Sequence, residues 1–95
     1  MAAYLVCDIT VTNPTQYEQY KRLAQQAVAQ YGGRYLVRGG EKVVLEGSWQ
    51  PNRVVVLEFP DLAQARAFYD SPEYKAAREA RGGAAKMNMV AVAGA

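Results

Sequence analysis

Two arginines in the stretch GGRYLVRGG, residues 32–40, are the side chains best suited to hold an anion. The stretch has the composition of a strand, and the alternation of side chains along a strand would place Arg34 and Arg38 on the same face. Two guanidinium groups on one face form a fork for a carboxylate or a similar anion. The sequence therefore predicts that Arg34 and Arg38 bind a ligand.

Two carboxylates on predicted strands, Asp8 and Glu58, are the candidate catalytic residues. A carboxylate that is partly removed from water has a raised pKa and can serve as a general base. The same groups can instead form cross-strand ion pairs with arginine, which would fix the register of the sheet and the geometry of a dimer. The sequence leaves both interpretations open. The charged strand residues considered for such pairs are Asp8, Arg34, Arg38, Glu46, Arg53 and Glu58.

Trp49 and Tyr74 are two further candidates for ligand binding. Trp49 lies in the predicted loop GSWQPNR, where it can close the mouth of a pocket or pack at the rim of a dimer. Tyr74 belongs to the segment SPEY, at a predicted restart of a helix, from which it can face a cavity. The other helical tyrosines, Tyr17, Tyr20 and Tyr31, are expected in or beside the core with their hydroxyl groups at the surface.

The sequence contains no histidine and a single cysteine, Cys7. This composition excludes Ser-His-Asp and Cys-His catalytic sites, haem held by histidine and ordinary zinc sites. No acidic cluster has the spacing of Mg²⁺ or Ca²⁺ ligands, and the glycine pairs match no phosphate-binding pattern, so we expect no metal and no cofactor. Cys7 lies on an apolar strand face and is expected to be a buried, unreactive thiol.

The charge of the chain is weakly positive, with 11 basic and 9 acidic residues and a net charge of +2. So small an excess exerts little attraction on nucleic acid or on anionic lipid. No apolar run is long enough to cross a bilayer, and the first residues lack the basic start of a signal peptide. We therefore expect a cytoplasmic protein that binds neither nucleic acid nor membrane.

Strand and helix signals alternate in the order β-α-β-β-α-β. The first helix has a capped start at NPTQ, residues 13–16, and a glycine pair ends it. A second glycine pair, Gly39 and Gly40, predicts a bend or bulge, after which KVVLEG is expected to continue as a strand. Asp61 begins a second helix, which restarts at Ser71. The four predicted strands cover residues 3–11, residues 34–38 continued after the bend by 42–47, residues 54–59 and residues 87–94.

This order predicts an α+β fold of the ferredoxin-like type, with an antiparallel sheet of strand order 4-1-3-2 and both helices on one face, in a single domain over residues 1–95. No helix remains to cover the other face of the sheet. That face is nevertheless apolar, because the strands carry valine and leucine on both sides, as in residues 43–45 and 54–57. An uncovered apolar face of this size predicts a partner, and the simplest partner is a second copy of the chain. We therefore expect a homodimer.

The segments GGRYLVRGG, VLEGSWQPNRVVVLEFP and SPEY, the last followed by AA and an arginine, resemble the bacterial family described as domain of unknown function 1330. The resemblance extends from Tyr4 to Gly94. It implies a dimeric α+β barrel, in which two ferredoxin-like protomers pair their sheets around a shared interior. The family brings no agreed reaction, so the resemblance implies an architecture and no activity.

The main functional hypothesis is a small homodimer that binds a small anionic or aromatic organic molecule in a pocket between sheet and helices. The alternative is a cofactor-independent enzyme, similar to a monooxygenase or an isomerase. In it, Asp8 or Glu58 would be the base, and Arg34 or Arg38 would hold the negative charge of the substrate. Dimeric barrels of similar fold include such enzymes, but a fold alone does not transfer an activity.

Two other classes of function are compatible with the order of the elements. A purely structural or regulatory dimer needs no ligand site. RNA-recognition modules share the order β-α-β-β-α-β, but the aliphatic strand RVVVLEF lacks the aromatic residues that those modules display. We therefore expect a small-molecule ligand and no nucleic acid.

Overall fold

Four strands and three helices make up the fold, in a computed structural model that describes residues 1–95. They are β1 (Ala3–Val11), α1 (Pro14–Gln30), β2 (Arg34–Arg38), β3 (Arg53–Phe59), α2 (Leu62–Tyr69), α3 (Pro72–Arg81) and β4 (Ala85–Ala93). The strands form one antiparallel sheet in the order β2-β3-β1-β4, which is the predicted order. The ferredoxin-like α+β fold is thereby confirmed.

The helices begin where side chains bind free backbone N–H groups. The Asn13 side chain accepts a hydrogen bond from the backbone N–H of Gln16 at 3.2 Å, and Asp61 accepts one from that of Gln64 at 2.7 Å. Ser71 caps α3 in the same way, so the second helical region is divided into α2 and α3, as predicted. None of the helices is long and apolar enough to span a membrane.

The core lies between the helices and one face of the sheet, which we call the helix face. Its largest side chains are aromatic: the ring of Phe68 lies 5.0 Å from that of Phe59 and 4.5 Å from that of Tyr74. Burying each such side chain contributes about 1.5–3 kcal/mol to stability. The residues of the helix face that belong to the core are Leu5, Cys7, Ile9, Val55, Leu57 and Phe59.

No helix covers the opposite side of the sheet, which we call the open face. Three rows of cross-strand neighbours run over it, because paired residues of adjacent strands point the same way. The rows join β3, β1 and β4 and consist of Glu58, Tyr4 and Val92, then Val56, Val6 and Val90, then Val54, Asp8 and Asn88. Val90 and Val92 are exposed, so the open face displays an apolar surface.

A β-bulge at Leu36 separates the two arginines of β2. Arg34 is paired with Glu58 of the open face, whereas Arg38 is paired with Val55 of the helix face. An extra residue in one strand reverses the alternation of every residue that follows it. The prediction that Arg34 and Arg38 share a face is therefore wrong. The bulge was expected at the glycine pair, Gly39 and Gly40, but it lies earlier in the chain, within β2.

The link between β2 and β3, residues 39–52, contains no strand, so the prediction that KVVLEG continues as a strand is also wrong. Val43 is 76% exposed and Leu45 is 89% exposed. The last residues of the link fold back over the open face, where they donate hydrogen bonds to Asp8. The segment KVVLEG pairs with no strand of the sheet, so its valine and leucine residues do not add to the apolar surface of the sheet.

Candidate functional site

A cavity of about 40 Å³ lies between the helix face and the helices. By volume it has room for roughly two or three water molecules. Aromatic, aliphatic and sulfur-containing side chains form most of its wall. Its lining residues are Cys7, Ile9, Tyr17, Tyr20, Lys21, Ala24, Val28, Tyr35, Arg38, Arg53, Val55, Leu57, Phe68, Tyr74, Met87 and Met89.

The charged residues of the cavity are all cationic: Lys21, Arg38 and Arg53. Lys21 forms an ion pair with Glu18 at 2.8 Å, but neither arginine has a carboxylate within ion-pair distance. Opposite charge raises the local concentration of an anion, and more strongly where the walls exclude water. The cavity therefore has the electrostatic character of an anion site.

Arg38 is held in place by two contacts. Its Nη2 donates a hydrogen bond to Oε1 of Gln25 at 3.0 Å, and its guanidinium carbon lies 4.3 Å from the centre of the Tyr35 ring. A cation over an aromatic face is an attractive arrangement. These contacts orient the guanidinium and leave its charge without a negative partner.

Arg53 reaches the same cavity from the first position of β3. Its guanidinium lies against Gly39, whose φ of +69° belongs to the left-handed region, and a β-carbon at that glycine would collide with it. The Nε of Arg53 is buried and has no hydrogen-bond partner. Gly39 thus makes room for a guanidinium whose Nε has no partner within the protein.

A pair of hydroxyl groups lies inside the cavity wall. The hydroxyl oxygens of Tyr20 and Tyr74 are 2.7 Å apart, and the ring of Tyr17 lies 5.2 Å from that of Tyr20. Burial raises the pKa of Tyr20 and of Tyr74 above their usual value, so both hydroxyls stay protonated at neutral pH. The expectation that the Tyr20 hydroxyl would lie at the surface is wrong, because Tyr74 of the neighbouring helix gives it a hydrogen-bond partner in the interior.

The single cysteine also lines this cavity. Cys7 is buried, as expected, and burial raises the pKa of its thiol to about 11, against a smaller lowering by Arg81. The reactive form of cysteine is the thiolate, which such a pKa suppresses at neutral pH.

The remaining candidate residues lie on the open face and are held by contacts within the chain. Nε of Arg34 lies 2.6 Å from Oε1 of Glu58 in an ion pair. Asp8 accepts hydrogen bonds from Nε1 of Trp49 at 3.1 Å and from the backbone N–H of Asn52 at 3.0 Å. The structure therefore brings Arg38 and Tyr74 together at the cavity, while Arg34, Glu58, Asp8 and Trp49 lie on the other side of the sheet.

The two candidate carboxylates do not lie side by side on the open face. Asp8 is paired with Val54, and Glu58 follows Val54 by four positions of the same strand, which corresponds to about 13 Å. Of the ion pairs considered from the sequence, only that between Arg34 and Glu58 is formed. No group of three or more metal-ligating side chains occurs in the structure.

Sequence analysis did not assign Arg53, Lys21 or Tyr35 to a site. For Arg53 a signal was present: it precedes Val55 by two positions, so strand alternation places it on the buried side of the same strand. Lys21 follows Tyr17 by four residues and so lies on the buried stripe of α1.

The sequence matches the family described as Domain of unknown function (DUF1330) over residues 2–95. No protein with curated annotation matches the chain. Among solved structures, the chain is similar to the RPA0582 protein of unknown function from Rhodopseudomonas palustris, with a TM-score of 0.77, 17% identity, and coverage of 99% of this chain and 82% of that one.

Two other solved structures with this fold carry more descriptive names. SnoaB, a cofactor-independent oxygenase from Streptomyces nogalater, has a TM-score of 0.67 and 14% identity and covers 99% of this chain and 93% of its own. A dimeric ferredoxin-like protein of unknown function from Jannaschia sp. CCS1 has a TM-score of 0.67 and 11% identity, and the match covers 97% of this chain and 98% of that one. Likeness at this level of identity establishes the shared fold.

Proposed function

The chain belongs to the DUF1330 family, and we propose that it is a homodimer that binds a small anionic or aromatic organic molecule in the cavity between its sheet and helices. The observation that carries the proposal is the charge of the cavity: Arg38 and Arg53 line it without a carboxylate partner. Arg38 is exposed, whereas Arg53 is half-buried, and a charge that is partly removed from water is costly unless it is paired. A bound anion would supply that partner, and the tyrosine rings of the wall would contact its apolar part.

The homodimer is supported by the character of the open face. Val37, Val90 and Val92, on the two edge strands, are 40%, 58% and 49% exposed. Val56 and Val6 join Val37 to Val90 across the central strands, so an apolar strip crosses the sheet. Three charged groups of this face already have partners within the chain: Arg34 is paired with Glu58, and Asp8 accepts two hydrogen bonds. Lys86, which is paired with Thr10 of β1 and therefore lies on the same face, is exposed near the start of β4, where its long side chain can keep the charge in water at the rim of an interface. The similar protein from Jannaschia is described as dimeric.

In this proposal the candidate residues have two different tasks. Arg38 and Tyr74 contact the ligand in the cavity of one protomer. Arg34 and Trp49 lie where the two open faces meet, so they would contact the partner chain or whatever the shared interior encloses.

A screen of carboxylates and phenols by thermal shift tests the ligand site. We expect at least one compound to raise the Tm of the wild-type protein and to have no such effect on Arg38→Ala. The control is Arg22→Ala, which removes an exposed arginine of α1 that does not line the cavity. This variant should show the same ligand-induced rise in Tm as the wild type. A shift that survives in Arg38→Ala contradicts the assignment of the ligand to this cavity.

A second candidate is a cofactor-independent enzyme, and the fold it shares with SnoaB favours it. The carboxylate of Asp8 or Glu58 would remove a proton from the substrate, and Arg34, which shares the open face, would hold the resulting negative charge. The substrate would then lie between the two sheets of the dimer, and Arg38 would take no part because it lies on the helix face. Oxygen consumption with a panel of phenolic compounds, lost in Glu58→Gln or in Asp8→Asn, would support this function and identify the base. Turnover that both variants retain would contradict it.

A further inference from the structure

The pair of cations that best fits an anion is Arg38 with Arg53, and not the predicted pair Arg34 with Arg38. Arg38 is opposite Val55, and Arg53 precedes Val55 by two positions on β3. The two arginines are therefore diagonal neighbours on adjacent strands, a relationship that separates residues by about 7–8 Å. Long side chains at that separation can converge on one small anion, so the bulge at Leu36 moves the fork from the open face to the cavity.

Arg53 has the stronger need for a partner. It forms no ion pair, and its buried Nε has no hydrogen bond, whereas Arg38 is bonded to Gln25. A half-buried guanidinium with an unsatisfied nitrogen is destabilising unless another group pairs with it. The packing of Gly39 against the guanidinium leaves Arg53 little freedom to turn away from the cavity.

The size of the cavity limits what the two arginines can hold. A space of about 40 Å³ is far below the 300–1,000 Å³ that is typical of pockets for drug-sized ligands. Its walls include the rings of Tyr17, Tyr20 and Tyr35 and the side chain of Met87, which suit a short apolar group. An aromatic ring needs more room than the cavity offers.

We infer that the ligand of this cavity is a compact carboxylate of the size of acetate or propionate, with its oxygens held by Arg53 and Arg38 and its carbon chain against the tyrosine rings. This inference rests on the proposed ligand site and narrows its ligand class from anionic or aromatic molecules to short aliphatic carboxylates. It also makes Arg53 the principal anion-binding residue.

Calorimetric titration with acetate, propionate, benzoate and phenol at constant ionic strength tests the inference. We expect acetate and propionate to bind and benzoate and phenol to bind at least tenfold more weakly. Arg53→Gln should weaken propionate binding at least tenfold, and Arg53→Lys should recover only part of it, because an ammonium lacks the planar fork of a guanidinium. Arg22→Gln, an exposed charge change of the same kind, should bind like the wild type.

The possible outcomes separate the inference from the broader proposal. Benzoate or phenol binding more tightly than propionate overturns the inference and leaves a ligand site in place. Propionate binding that is unchanged in a folded Arg53→Gln variant overturns the role of Arg53. Binding of none of the four compounds contradicts both the inference and the proposed ligand site. Amide NMR spectra of each variant establish that it is folded, and Arg38→Gln gives a second removal of charge if Arg53→Gln does not fold.

Discussion

Arg34 and Arg38 lie on the same short strand, yet they meet opposite environments on the two faces of one sheet. On the open face, Arg34 is paired with Glu58 at the surface. On the helix face, Arg38 and Arg53 line a small cavity whose wall contains no aspartate or glutamate side chain. The open face carries the Arg34–Glu58 pair and a hydrogen-bonded Asp8 but is apolar and uncovered, whereas the helix face is covered by the helices and carries positive charge without a carboxylate partner. The first condition favours a second copy of the chain, and the second favours an anion.

The largest effect for each chain is expected from the aromatic core of the helix face. Phe68 is 1% exposed and packs against Phe59 and Tyr74, so Phe68→Ala should lower the free energy of unfolding by about 3–5 kcal/mol. Urea denaturation measures this loss. Because the residue lies within one protomer, the loss should be the same at low and high protein concentration. A loss below about 1 kcal/mol would show that this face is not the principal core.

A charge on the open face should instead act on association. In Val90→Asp, each of the two copies would have to bury a carboxylate without a partner. At about 2–3 kcal/mol for each carboxylate, we expect the dimer to weaken by about 4–6 kcal/mol, roughly a thousandfold or more. Light scattering at micromolar concentration measures the change. Gln26→Asp, which adds the same charge on the exposed side of α1, is the matched control and should stay dimeric. A wild-type protein that is already monomeric, or a Val90→Asp protein that remains dimeric, contradicts the role of the open face.

The burial of Cys7 on the helix face predicts a dependence of stability on alkaline pH. Burial raises the pKa of the thiol from 9.0 to about 11 in the folded protein. Between these values the unfolded chain loses the proton and the folded chain keeps it, so the stabilisation is complete below pH 9 and is lost as the pH rises to 11. Its size is about 2–3 kcal/mol.

Urea denaturation of the wild type and of Cys7→Ala at pH 8 and pH 11 isolates this contribution. The buried tyrosines also disfavour the folded state at high pH, and because burial is the main cause of their raised pKa values, most of this effect is common to both proteins. The wild type should therefore lose more stability than the variant between the two pH values. Parallel losses would mean that the thiol titrates alike in the folded and unfolded chains.

The smallest effect is expected at the ion pair between Arg34 and Glu58. The Arg34 side chain is 71% exposed, and exposed pairs contribute about 0.2–1 kcal/mol. A double-mutant cycle with Arg34→Gln and Glu58→Gln measures the coupling, and the monomeric Val90→Asp background keeps association out of the result. The coupling should fall at high salt, because salt screens exposed charges. A value well above 1 kcal/mol would mean that the pair is more deeply buried than the open face allows.

Much of the fold could be predicted from local signals. The helix starts are marked by the caps at Asn13, Asp61 and Ser71, and the first strand is marked by the alternation in β1. These signals indicate the order of the elements, and that order permits few topologies. The bulge at Leu36 has no such signal, because it depends on how β2 packs against β3 and not on the residue itself.

The site could be predicted only in part, because it too depends on how strands pack against each other. The bulge placed Arg38 on the opposite face of the sheet from Arg34. The valine-rich KVVLEG forms no strand, because strand formation depends on a neighbouring strand more than on composition. Tyr74 could be placed at a cavity because it follows a well-defined helix start. Arg53 could have been placed by alternation, but its unsatisfied Nε is visible only in the structure.

The separation of tasks between the two faces can be tested in a single NMR titration of the Val90→Asp protein with propionate. The account predicts relaxation rates of a monomer and propionate-dependent shifts of the amides around Gly39 and Arg53, since one protomer supplies the whole cavity. The amides of the open face around Val56 should not shift. Relaxation rates of a dimer, or shifts confined to the open face, would contradict the account.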